Sequence, residues 1–227
     1  MVKTACILLL IIAAFQYSCK HEIPVSPTGN YPIDTITTGV CFQSDILPLF
    51  QSNCAKSGCH DAATRTEGYQ LNSYASIISR GINPGNAGSS KIYEVINDND
   101  PGKVMPPPPN QPLTAAQKSL IAAWITEGAR NTINCNNSCD SSIFTYSGSI
   151  LPMLQSNCLG CHSGTAASGG FIVLDSYINV KTQVTNGRLY ASVAHTGPNP
   201  MPKDGNKLSD CKIAQLRKWI EAGAQNN

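Results

Sequence analysis

Asp45-Ile46-Leu47-Pro48-Leu49-Phe50-Gln51-Ser52-Asn53-Cys54 returns later in the chain as Ser149-Ile150-Leu151-Pro152-Met153-Leu154-Gln155-Ser156-Asn157-Cys158. Four further blocks recur in the same order. Leu71-Asn72-Ser73-Tyr74 pairs with Leu174-Asp175-Ser176-Tyr177. Lys91-Ile92-Tyr93-Glu94-Val95 pairs with Arg188-Leu189-Tyr190-Ala191-Ser192-Val193 after a one-residue adjustment. Met105-Pro106 pairs with Met201-Pro202, and Trp124-Ile125-Thr126-Glu127-Gly128-Ala129 with Trp219-Ile220-Glu221-Ala222-Gly223-Ala224. A period of about a hundred residues is too long for a solenoid unit, so the blocks predict two tandem copies of one domain. The copies are placed at 41–130 and 143–227, with the polar stretch 131–142 as linker.

Each copy is expected to end on a helix. In the first, Thr114 is the N-cap and Gln117 completes a capping box. Leu120, Ile121, Trp124 and Ile125 then share one face until Gly128 closes the helix. In the second, Ser209 caps, Ile213, Leu216 and Ile220 form the stripe with Trp219 beside it, and Gly223 closes. A short helical stretch precedes the first Cys of each copy. The loops between are long and rich in Gly, Asn and Pro, which a compact domain tolerates when they have a task such as wrapping a cofactor. No strand pattern emerges, so the expected fold is all-α.

Cys158-Leu159-Gly160-Cys161-His162 is a C-x-x-C-H sequence, the c-type haem attachment motif. Two thiols at this spacing can each add to a vinyl group of the porphyrin, and the adjacent His162 can give its imidazole to iron. The first copy carries Cys54-Ala55-Lys56-Ser57-Gly58-Cys59-His60, two residues longer, at the same place in the repeat. The Cys-His adjacency is kept and the insertion can bulge, so Cys54, Cys59 and His60 are read as a second attachment site. Met105 and Met201, each followed by Pro in the loop before the last helix, are the candidates for the sixth iron position. A soft thioether there favours ferrous iron and raises the potential. His195 could compete with Met201, but the first copy has no counterpart, and a surface loop histidine is the simpler reading. Lys91 and Arg188 recur and could reach a haem propionate, although solvated cations are the commoner case. Zinc would want four tetrahedral ligands, which adjacent Cys-His side chains rarely supply. A thioredoxin-type pair would want a βαβ context that is absent from the pattern.

C-x-x-C-H, then Met-Pro, then a final helix ending Trp-Ile-x-x-Gly-Ala resembles small class I cytochrome c domains. Val104-Met105-Pro106-Pro107-Pro108-Pro109, followed by the stretch from Leu113 to Ala129 that carries the last helix, is similar to cytochrome c domains of planctomycete and Bacteroidetes exported proteins. The resemblance spans about residues 41–129 and 143–225. It implies an all-α fold with haem between the first and last helices of each domain. It also implies thioethers at the motif cysteines, a proximal His and a distal Met. The longer first spacing departs from the family pattern.

The rest of the chain speaks to compartment. Sixteen basic and fourteen acidic side chains leave a net charge of +2, no field for nucleic acid. Lys3 precedes an unbroken apolar run from Ala5 to Phe15, about half of what a bilayer span needs, so residues 1–18 read as a signal peptide. Ser18-Cys19 resembles a lipoprotein cleavage site, which would leave Cys19 lipidated at the head of a Pro- and Thr-rich stalk to residue 40. Of the ten cysteines, Cys41, Cys135, Cys139 and Cys211 have no partner in the repeat and are expected in two disulfides outside the cytoplasm. Cys41–Cys135 with Cys139–Cys211 is the simplest of three possible pairings. The expectation is thus a lipid-anchored dihaem c-type cytochrome on the outer face of a bacterial membrane, periplasmic or at the cell surface. It would pass electrons between redox proteins through two haem c groups and would not itself be an enzyme. A dihaem peroxidase, with one open iron position, and a haem sensor of small ligands are the rivals.

Overall fold

The structure, a computed structural model, describes residues 39–133, 135, 139–203 and 205–227. The expected signal peptide, lipidated Cys19 and the stalk up to residue 38 lie outside them. Helices joined by long loops make up the fold, with no strand among the described residues.

Two series of elements follow one another. A wide π turn at Phe42–Ile46 leads into α1 (Leu47–Asn53). Then come α2 (Tyr74–Ile78), α3 (Lys91–Ile96) and α4 (Ala115–Thr126). A second π turn, Tyr146–Ile150, leads into α5 (Leu151–Asn157). It is followed by α6 (Tyr177–Thr185), α7 (Arg188–Val193) and α8 (Asp210–Glu221). Pro48 and Pro152 sit in the first turn of α1 and α5, where the missing N–H costs nothing. Ser73 and Ser176 cap α2 and α6. Thr114 accepts from Gln117 N, while Gln117 Oε1 accepts from Thr114 N at 2.8 Å, a complete capping box. Ser209 caps α8 by accepting from Lys212 N. Gly128 (φ 98°) and Gly223 (φ 91°) end the two long helices in the left-handed conformation that a Cβ would disfavour.

Each series closes around its own hydrophobic cluster. Phe42, Ile46, Leu49, Phe50, Ile121, Trp124 and Ile125 anchor the first. Tyr146, Ile150, Leu154, Ile213, Leu216 and Trp219 anchor the second. The buried stripe of α8 is Ile213, Leu216 and Trp219, with Ile220 only half-buried, so the expected places of Trp219 and Ile220 are exchanged. The indole decides this. Its ring lies 5.6 Å from that of Tyr146, and its N–H donates to Gln225 O at 2.8 Å. Trp124 repeats the arrangement against Phe42 at 5.4 Å and Arg130 O at 3.0 Å. Tyr74 and Tyr177 each donate a hydroxyl to the carbonyl just past the last helix, Ala129 O and Ala224 O. Trp219→Ala should cost about 3–5 kcal/mol, seen as a lower denaturant midpoint with an unchanged slope.

The stretch 131–142 is fastened where it is described. Thr132 is buried, accepts from Phe42 N at 2.7 Å through its hydroxyl and from Gln43 N at 3.1 Å through its carbonyl. Disulfides join Cys41 to Cys135 and Cys139 to Cys211. No helix among the described residues is long and apolar enough to cross a membrane.

The two halves also meet directly. α1 packs against α5. Ser52 Oγ donates to Ser156 O at 3.0 Å. The third residue of each long helix reaches into the opposite half, Gln117 Nε2 to Gln155 O at 2.8 Å and Lys212 Nζ to Ser44 O at 3.2 Å.

Candidate functional site

The C-terminal ends of α1 and α5 deliver the two cysteine motifs. Cys54 N and Ala55 N both donate to Phe50 O. Cys158 N and Leu159 N do the same to Leu154 O, so each chain leaves its helix by the same turn. His60 N then returns to Cys54 O at 3.2 Å and His162 N to Cys158 O at 2.9 Å. The two-residue insertion between Cys54 and Cys59 is absorbed before His60, and the histidine regains the position its counterpart has.

The imidazoles are set by main-chain oxygens. His162 Nδ1 lies 2.9 Å from Ile172 O, and His60 Nδ1 3.3 Å from Tyr69 O. A carbonyl can only accept, so Nδ1 carries the proton and Nε2 keeps its lone pair for a metal. The loops that supply these carbonyls are pinned by Leu174 N to His162 O at 2.7 Å and Leu71 N to His60 O at 2.9 Å. Gly169 presses close to the second ring, where a Cβ would come 2.6 Å from His162 Nδ1.

Cys54, Cys59, Cys158 and Cys161 are partly buried and unbridged, in contrast to the four cysteines held in disulfides. Desolvation pushes the thiols of Cys54 and Cys158 up to about 12 and raises that of Cys161. They are protonated at neutral pH. A rise of about three units leaves roughly a thousandfold less thiolate, offset in part by the greater nucleophilicity of a more basic sulfur. In protein made without haem attachment, Cys54 and Cys158 should therefore alkylate about fifty-fold more slowly at pH 8 than a free peptide thiol. Their rates should still be climbing at pH 10, where the peptide's has levelled; mass spectrometry of the tryptic peptides reads both.

Met105 and Met201 are half-buried and hang from equivalent points. Met105 N donates to Val95 O of α3 at 2.9 Å, and Met201 N to Ser192 O of α7 at 3.0 Å. His195 is exposed and its Nε2 bonds Met201 O at 3.0 Å, so this histidine braces the methionine loop. Lys91 is paired with Glu94 at 2.6 Å on an exposed helical turn, and Arg188 is exposed.

A segment of the first half meets the second motif. Lys56, inside the longer first spacing, donates to Asn110 Oδ1 at 2.6 Å and to Gly160 O at 3.0 Å. Cys161 Sγ lies 3.7 Å from Ser52 O. A Cβ on Gly160 would fall 1.8 Å from Ser52 O. Of Ser52, Lys56, Gly160, Gln117 and Lys212, the sequence marks only Gln117, and as a capping residue rather than as a contact between the halves. The one available signal was that Lys56 belongs to an insertion the second motif lacks.

The donor set fits haem c: a pair of unbridged thiols, a following imidazole with Nε2 open, and a methionine on a fixed loop, twice over. Among the described residues, no group of three or more His, Cys, Asp or Glu side chains gathers around one point that could hold a metal ion. The family of planctomycete cytochrome C matches residues 57–109. That stretch covers Cys59, His60 and Met105, begins after Cys54, and is less than half of the chain. It is a cytochrome c-like region and supports a c-type cytochrome with haem c as its cofactor and electron transport as its work. No curated protein and no solved structure gives a significant match to the chain.

Proposed function

We propose that the chain is a dihaem c-type cytochrome that moves electrons outside the cytoplasm, with one cytochrome c-like domain at 41–130 and a second at 143–227. Haem c would be held through Cys54 and Cys59 in the first and Cys158 and Cys161 in the second. His60 and His162 would give their imidazoles to the iron, and Met105 and Met201 their thioethers. Once bound, haem supplies an iron that gains and loses one electron. The chain's own part is to hold each imidazole by its Nδ1 proton, close the sixth position with a thioether, and exclude water with the clusters around Trp124 and Trp219.

The observation that carries this reading is that unbridged thiols and a carbonyl-held imidazole occur twice, in the same backbone frame, while every other described cysteine is bridged. The partners are redox proteins that give and take single electrons. The apolar leader and Ser18-Cys19 support export and a lipid anchor on the outer face of a bacterial membrane. The near-neutral charge gives no support to a nucleic-acid partner.

Mass spectrometry of mature protein from a host that attaches haem tests this. Two covalent haem masses and a diacylglyceryl group on Cys19 are expected. Colourless protein with the four motif thiols free, from a host proven to load other cytochromes, would refute it. Met201→Ala should keep both haems attached yet let carbon monoxide bind the reduced second haem; absence of that new band would remove Met201 as a ligand.

A further inference from the structure

The longer first motif carries a lysine that the second lacks. Lys56 is only 9% exposed, and its ammonium rests on two neutral oxygens, Asn110 Oδ1 from its own half and Gly160 O from inside the opposite motif. The ion pairs among the described residues do not include it. A buried cation without a carboxylate partner is expensive to keep, and a neutral side chain could bridge two carbonyl-type oxygens at less cost. The charge itself is the unexplained part.

We propose that Lys56 is a shared electrostatic positioning residue: the insertion in the first motif exists to place one buried positive charge between both haem-attachment segments, where it holds the midpoint potentials of both irons up. This rests on the dihaem reading above. Ferric iron carries one more positive charge than ferrous, so an adjacent ammonium disfavours the oxidised form at either site. Burial sharpens the effect, because a low-dielectric surround screens it little. Net charge and burial near the iron are among the levers by which a protein sets a haem potential. The contact to Gly160 O also fixes the two motifs relative to each other, so one residue tunes both sites in the same direction.

The test is a mediated potentiometric titration of the haem-loaded protein, followed by its visible spectrum, on wild type and four variants. Lys56→Met removes charge and hydrogen bonds. Lys56→Gln removes the charge but keeps a donor for Gly160 O. Lys56→Arg keeps the charge. Lys207→Met removes a charge from an exposed lysine. Both midpoints should move to lower potential in Lys56→Met and Lys56→Gln, and stay near wild type in Lys56→Arg and Lys207→Met. Potentials in Lys56→Gln equal to wild type, or a shift at one haem alone, would overturn the proposal. A second measurement needs no variant. In wild type, both midpoints should hold steady between 0.1 and 1 M salt, since a buried charge is poorly screened. A marked fall would assign the potentials to surface charge and overturn the proposal as well. Fewer than two haems on wild type would instead refute the dihaem reading, so the two failures are distinct.

Discussion

Gly160→Ala is expected to destabilise the protein by about 3 kcal/mol, the upper end for overpacking, although it adds one methyl group. The new Cβ would lie 1.8 Å from Ser52 O, 2.3 Å from Ser52 C and 2.9 Å from Asn53 N. All three are main-chain atoms at the end of α1, so no rotamer change can relieve the clash. Gly160 has an ordinary backbone conformation, and its need for glycine comes from close approach alone. To make room, α1 must withdraw from α5, which strains the Ser52–Ser156 and Lys56–Gly160 contacts together. Urea unfolding of the haem-loaded protein checks this. A midpoint equal to wild type would mean that the halves are not in this contact in solution. Leu159→Ala, one residue earlier in the same motif, serves as the comparison.

Opening the Cys41–Cys135 bridge is the second large effect expected. The bridge spans 94 residues of sequence. Chain-entropy arguments give up to about 4–5 kcal/mol for a loop of that length, through the unfolded state. The folded state adds a local reason. Cys41 and Cys135 flank the buried Thr132, whose hydroxyl and carbonyl hold the first two amides of the Phe42 turn. Cys41→Ser with Cys135→Ser should lower the thermal midpoint markedly while leaving the second cluster around Trp219 folded. Near-UV circular dichroism and tryptophan fluorescence would follow the two clusters. An unchanged midpoint would show that the Thr132 contacts suffice without the bridge.

The sequence made local structure legible where a side chain acts on its own neighbourhood. Thr114 with Gln117, Ser209, Gly128 and Gly223 are all short-range devices, and the helix ends fall where those residues stand. The recurring blocks are legible for a different reason: they carry matching long-range contacts, Tyr74 and Tyr177 making the same hydrogen bond to a carbonyl 55 and 47 residues further on. The order of Trp219 and Ile220 on α8 differs from the expected stripe because a helical stripe can drift by one position. What settled it was the ring of Tyr146, more than seventy residues away in sequence. The contact between halves was not legible at all. It is made of main-chain oxygens, one glycine and polar side chains at the third position of two helices, and no hydrophobic period announces it. Lys56 has no role in the sequence beyond an insertion that can bulge, because its partner, Gly160 O, lies in the other half. Likewise His195 read as a loop residue, and only the loop's fold shows it gripping Met201 O.

The placement of the two bridges has a topological consequence. Cys41–Cys135 closes wholly within the N-terminal portion and Cys139–Cys211 wholly within the C-terminal one, with only three residues between Cys135 and Cys139. A protease cut at that spot would sever the last covalent link between the portions without touching either bridge. The product would be a two-chain complex held by the α1–α5 packing and the Lys56, Gln117 and Lys212 hydrogen bonds between the halves, separable on a non-reducing gel and able to re-form on mixing. Its dissociation constant would weigh, in solution, the adhesion that the intact polypeptide conceals.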